Sequence, residues 1–115
     1  MYTISELETA REKARDYRKE KLLSEAQTLS REAKFKEYLE RSSELAMEAV
    51  QKSWEERITT PLEEYFPEAV HDFDLAEVVA KAIEVSSEFH AFAMRMGSKE
   101  ANAPIEVHLS WRKWS

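Results

Sequence analysis

Glycine occurs only once in this chain of 115 residues, and that scarcity limits the folds open to it. A sheet-rich domain of this size needs many tight turns, and glycine is the residue that most readily adopts their backbone conformations. The first 58 residues contain neither glycine nor proline, and alanine, glutamate, lysine, arginine and leucine are the prevalent residues there. These residues favour helix. We therefore predict a mainly helical chain that forms a single domain.

The predicted helical region over 5–58 changes the direction of its apolar face along its length. At 100° per residue, four apolar residues near its start lie within about 80° of one another. These residues are Leu7, Ala10, Ala14 and Tyr17. The next two apolar stripes are rotated by about 120° and then back again. Either the chain breaks within 18–35, with Lys19–Ser24 as the favoured place, or one long helix meets different neighbours.

Two further helices are predicted after that region. Pro61 follows Thr60, a residue type that caps helices, and this pair predicts a short helix over 61–66. A wide apolar stripe that begins at Leu75 predicts a long helix over 75–96. Gly97 follows it, at a position where glycine commonly terminates a helix.

The pattern changes period near the C-terminal end. Over 104–112 apolar and polar residues alternate, from Ile105 to Trp111, as in a half-buried β-strand. The sequence offers no second segment that alternates as well, and a lone strand leaves its backbone groups unpaired. We therefore predict that this strand pairs with its own copy across a homodimer, with the short segment His71–Phe73 or another protein as alternatives.

The predicted architecture is thus mainly α. A long or broken N-terminal helical region packs on a second long helix, and one C-terminal strand follows. Cysteine is absent, which excludes disulfides and thiolate metal sites and fits a reducing compartment. Because the chain has neither an apolar leader pattern nor a run of 18 apolar residues, we expect a cytoplasmic protein that does not enter a membrane.

Charge divides the chain into three parts. Residues 1–36 carry a net charge of +2, residues 37–92 carry −10, and residues 93–115 carry +2. An acidic middle repels nucleic acid, so we do not expect a nucleic-acid partner. The exposed carboxylates of Glu63, Glu64 and Glu68 could instead bind a basic surface of a protein.

The C-terminal residues Trp111, Arg112 and Trp114 provide the other candidate binding site. Tryptophan and arginine are enriched among the residues that contribute most to protein interfaces. Trp111 continues the apolar side of the predicted strand, whereas Trp114 lies beyond it, either packed on a helix or free to anchor a partner. His108 lies on the polar side of the same strand.

The sequence contains no glycine-rich phosphate loop and no nucleophile motif, so we predict a protein that is not an enzyme and needs no cofactor. The leading hypothesis is a protein–protein interaction module: an adaptor, an assembly factor or a regulator of a larger complex. An inhibitor that mimics nucleic acid through its acidic surface is the second hypothesis. The third is a metal-binding protein or enzyme built on Glu68 and His71, whose Glu-x-x-His spacing occurs in di-iron bundles.

Overall fold

A computed structural model of the protein describes residues 1–53, 56–96 and 103–111. Within them the chain is mainly helical, which confirms the predicted fold class, and it also forms a three-stranded antiparallel sheet. In chain order, the elements are α1 (Ile4–Leu29), α2 (Ala33–Lys52), β1 (Arg57–Thr59), α3 (Leu62–Tyr65), a 3-10 turn (Pro67–Val70), α4 (Phe73–Ser86), β2 (His90–Arg95) and β3 (Ile105–Ser110).

The N-terminal helical region is broken, and the break lies between Leu29 and Ala33 rather than in the favoured Lys19–Ser24 segment. At the end of α1 the backbone N–H of Ser30 donates to the carbonyl oxygen of Ala26 at 2.9 Å, and its hydroxyl donates to Gln27 at 2.7 Å. A serine side chain can compete in this way with continued helix. The chain then turns, and α2 begins.

Helix α2 attaches to the rest of the protein along one narrow stripe. Its buried residues recur at intervals of three and four, and they are Phe35, Tyr38, Ser42 and Ala46. The helix predicted to reach residue 58 ends at Lys52, and Arg57–Thr59 is a strand instead. Pairing with β3 explains the difference, because Ile58 lies opposite Leu109 and joins the edge of the core.

Helix α4 is the central helix of the fold. It contacts α1 as well as β2 and β3, and residues on several of its sides are buried. Alanine and valine predominate among those residues, which lets the neighbouring elements approach closely. Its N-terminus is capped by Asp72, whose carboxylate accepts a hydrogen bond from the N–H of Leu75 at 3.2 Å.

The helix predicted over 75–96 is wrong in its second half, because α4 ends at Ser86 and His90–Arg95 forms β2. At Ser87 the backbone becomes extended (φ −152°, ψ 178°), and its hydroxyl donates to the carbonyl oxygen of Ile83 at 2.6 Å. The N–H of Phe89 in turn donates to that hydroxyl oxygen at 3.2 Å. The predicted terminator, Gly97, lies outside the described residues.

Replacing Ser87 with alanine should weaken the junction between α4 and β2. It removes the hydroxyl that serves both as donor and as acceptor there, and we expect the free energy of unfolding to fall by about 1 kcal/mol. Chemical denaturation measures the change. Ser43→Ala, on the exposed side of α2, provides the control and should be close to neutral. Equal stability of the two variants would contradict this account.

Strand β3 is the centre of the sheet, whose strand order is β1-β3-β2. Ile58 of β1 and Ala91 of β2 both lie opposite Leu109 of β3, on its two sides. Within its own chain, β3 is therefore paired with β2 along one whole edge and with β1 over His108–Ser110 on the other. The strand is thus not a lone strand, which was the reason for predicting that it pairs across a homodimer. The homodimer itself stays a prediction.

One buried polar contact joins α2, the corner after β1, and β3. The hydroxyl of Thr60 donates to the carbonyl oxygen of Val107 at 2.8 Å, so the buried Tyr38 hydroxyl donates to Thr60. The backbone N–H of Thr60 donates to the same carbonyl at 2.9 Å. Thr60 was predicted to cap the short helix, but α3 begins after Pro61 without a side-chain cap.

Candidate partner-binding surfaces

The three predicted acidic residues lie on the exposed side of α3 and of the 3-10 turn. Glu63 and Glu64 point to solvent while Leu62 and Phe66 on the same segment are buried. The Glu68 carboxylate lies 3.9 Å from the Lys34 ammonium group. This is a loose, solvent-exposed ion pair, and such pairs add little to stability. All three carboxylates of this acidic surface are therefore exposed to solvent.

Trp111 is half-buried and packs against the core, as expected for the end of the apolar side of β3. Its backbone N–H donates to the carbonyl oxygen of Glu56 at 3.2 Å. The other two residues of that predicted site, Arg112 and Trp114, lie outside the described residues. Trp111 by itself is thus a packing residue with one exposed edge.

His108 lies on the outer face of the sheet, away from the core formed by Val107 and Leu109. Its ring stacks on Phe92 of β2, with centroids 5.3 Å apart and planes at 9°. Its Nε2 atom lies 3.4 Å from the carboxylate of Glu106, and only 12% of the side chain is exposed. The stacking partner was missed in the sequence because Phe92 was predicted to be helical.

The metal hypothesis concerned Glu68 and His71. Both residues are exposed, at the start of the 3-10 turn and just after its end. Across residues 1–53, 56–96 and 103–111, no cluster of three or more histidine, aspartate or glutamate side chains is arranged to hold a metal ion.

A shallow groove of about 530 Å³ separates α2 from the segment that links α4 to β2. Its apolar lining comes from Leu39 and Met47 on α2 and from Phe89, whereas Lys36 and two glutamates form its polar rim. Met47 is 60% exposed. Methionine adapts its shape to different partners, so a groove with this lining can receive an apolar side chain.

The largest exposed feature is the N-terminal part of α1. Every residue from Met1 to Lys21 is exposed, and the first buried residue of the helix is Ala26. The predicted packing stripe is among them: Leu7 is 59% exposed and Tyr17 is 67% exposed. The N-terminal helical region was predicted to pack on a second long helix, and α1 does contact α4, but the stripe of Leu7 and Tyr17 stays exposed. The only sign of this exposure in the sequence is that α1 lacks one continuous apolar face.

A second groove, of about 750 Å³, lies between α1 and the start of α4. Its α1 wall is basic and includes Arg11, Arg15 and Lys19, whereas its α4 wall carries the exposed carboxylates of Asp74 and Glu77. The contacts within 4 Å between basic and acidic side chains of the described residues lie elsewhere in the fold, so these five charges are not paired with one another.

Comparison with known proteins found no matching family model, no similar curated protein and no similar solved structure. Among the described residues, no helix is both long enough and apolar enough to span a membrane.

Proposed function

We propose that this chain is a protein–protein interaction module, an adaptor, assembly factor or regulator of a larger complex, that acts by binding. The observation that carries the proposal is the exposed apolar stripe on the N-terminal part of α1. A helix of this kind gains most of its stability from packing against another element. Within the described residues α1 lacks that packing before Leu22, so a partner would supply it.

The stripe suits a particular mode of recognition. Leu7, Ala10, Ala14 and Tyr17 recur at intervals of three and four, the spacing with which one helix packs into the groove of a partner. Tyrosine adds a large contact area with few rotatable bonds, which limits the entropy lost on binding. We propose Leu7 and Tyr17 as the residues that contribute most to the contact.

A pull-down from the native source tests this proposal with matched variants. Leu7→Glu combined with Tyr17→Glu places charges in the apolar stripe, and we expect the captured partner to be lost. Val50→Glu changes a comparably exposed apolar residue on α2, outside the groove lined by Met47, and should leave capture intact. Because the contact is apolar, capture by the unaltered chain should survive high salt.

Other outcomes of the same experiment would reject this site. Full capture by the Leu7→Glu/Tyr17→Glu variant would show that α1 is not the binding element. A partner lost instead from a Trp114→Ala variant would move the site to the C-terminal residues. Recovery of the chain alone, across several growth conditions, would count against the interaction module itself.

The acidic surface supports a second candidate function, an inhibitor that mimics nucleic acid. Glu63 and Glu64 are exposed side by side, and residues 37–92 carry a net charge of −10. Such an inhibitor would bind a basic groove, so its binding should weaken steeply with salt. Changing Glu63, Glu64 and Glu68 to glutamine should then abolish capture, and an unchanged salt response would exclude this function.

A further inference from the structure

The charged residues on the N-terminal part of α1 are arranged in two adjacent rows. Residues four apart form an acidic row of Glu8, Glu12, Asp16 and Glu20. Next to it, offset by three residues, lies a basic row of Arg11, Arg15 and Lys19. Residues at these spacings are neighbours on a helix surface. One side of α1 thus presents opposite charges side by side, and all of them are exposed.

Opposite charges are placed symmetrically along α1, on the two sides of a point between Lys13 and Ala14. Residues equally distant from that point carry opposite charges in four cases and like charges in none. The four pairs are Glu12 with Arg15, Arg11 with Asp16, Glu8 with Lys19, and Glu6 with Lys21. In two antiparallel helices related by a two-fold axis through that point, the members of each pair lie at the same height on opposite helices.

Two of these pairs also share one helix face. At 100° per residue, Glu8, Glu12, Arg15 and Lys19 lie within about 60° of one another. Arg15 and Lys19 belong to the basic wall of the groove between α1 and α4. A second copy of α1 placed there would bring its acidic row to this basic wall. Its basic row would then lie toward the acidic wall formed by Asp74 and Glu77.

We propose that the groove between α1 and α4 binds α1 of a second copy of this chain, antiparallel and about a two-fold axis. The charge inversion within α1 and the opposite charges of the two groove walls both favour this partner. Nucleic acid would meet the acidic row of α1 and the carboxylates of α4. The inference rests on the proposed function in that it assigns a partner to the same exposed helix. The charged face of Glu12 and Arg15 differs from the face of Leu7 and Tyr17, whereas Ala14 of the apolar stripe also lines the groove.

Sedimentation equilibrium on the full chain, with two charge-reversed variants, tests the proposal. One variant carries Glu8→Lys and Glu12→Lys, and the other carries Arg15→Glu and Lys19→Glu. Each variant alone would place like charges opposite each other, so its self-association should weaken by at least about tenfold relative to the unaltered chain. An equimolar mixture of the two should recover a tight heterodimer, because every reversed acid then faces a reversed base.

A control variant separates this arrangement from a general effect of charge. Lys13→Glu alters an exposed residue that belongs to neither charged row and lies on another face of α1, and the dimer should tolerate it. Because all the altered residues are exposed, the variants should keep the helical content of the unaltered chain, and equal far-ultraviolet circular dichroism spectra would exclude misfolding as the cause of any loss.

Three results would overturn the dimer. In the first, the unaltered chain is monomeric at low salt and high concentration. In the second, it is monomeric and sediments with nucleic acid. In the third, the mixture of the two variants fails to associate. A partner protein still captured through Leu7 and Tyr17 by a monomeric chain would reject the dimer and leave the proposed function standing.

Discussion

Replacing Phe35 with alanine should lower the free energy of unfolding by about 3–5 kcal/mol, the range found when a buried aromatic ring is removed. Phe35 is fully buried at the start of α2, and its ring centroid lies 6.0 Å from that of Tyr38. These two are the only large side chains among the buried residues of α2. Since small domains are stable by about 5–15 kcal/mol in total, the loss should bring the protein close to unfolding.

Urea denaturation followed by circular dichroism measures that loss. Met47→Ala is the matched control on the same helix, because Met47 is largely exposed, and it should change stability by no more than about 0.5 kcal/mol. If Phe35→Ala lowered the free energy of unfolding no more than Met47→Ala does, then α2 would not be held to the protein through its stripe of buried residues.

The next largest effect is expected at Thr60, where valine has nearly the same shape but cannot accept a hydrogen bond. Thr60→Val leaves the buried Tyr38 hydroxyl without its acceptor, and we expect a loss of about 1–3 kcal/mol. Tyr38→Phe should cost less, about 1 kcal/mol, because Thr60 can still donate to Val107. The reverse order in thermal or chemical unfolding would show that the three groups are not connected as described.

The same contact makes stability depend on pH in the alkaline range. Burial raises the pKa of the Tyr38 hydroxyl. A group whose pKa is raised by folding contributes stability that is fully present below its unfolded pKa, about 10 for tyrosine, and is lost as the pH rises toward the folded value. The stability difference between the unaltered chain and Tyr38→Phe should therefore shrink above about pH 10.

The sequence predicted those elements whose local pattern agreed with their final environment. Strand β3 shows strict alternation, and its apolar residues Ile105, Val107 and Leu109 are all buried in the structure. The mainly helical class followed from composition and the lack of turn residues. In these segments the periodicity of the sequence and the direction of the core coincide.

Strand β2 was missed because its sequence is compatible with a helix as well as with a strand. Phe89, Ala93 and Met96 are spaced like one face of a helix, and the inward-facing residues of the strand, Ala91 and Ala93, are small helix formers. Only pairing with β3, whose residues lie 10 to 20 positions farther along the chain than their partners, decides between helix and strand. The signal that could have shown the boundary was the Ser86-Ser87 pair.

The binding surfaces were harder to predict, since exposure is a property of the whole fold. Leu7 and Tyr17 have the spacing of packing residues, and the sequence cannot show that the chain provides nothing to pack against them. The inversion of charge about Lys13 and Ala14, in contrast, can be read directly from the sequence. Its meaning depends on knowing that this part of α1 is helical and exposed.

The central place of β3 in the sheet also sets the order in which the protein can fold during synthesis. The ribosome completes β1 and β2 before it reaches Ile105, so both strands emerge without the neighbour that they share. Until then Thr60 has no Val107 carbonyl to bind, and the backbone edges by which β1 and β2 pair with β3 remain unpaired. Such edges favour wrong association between chains. A nascent chain stalled before β3 should therefore depend on chaperones, whereas one released after Ser110 should fold without them.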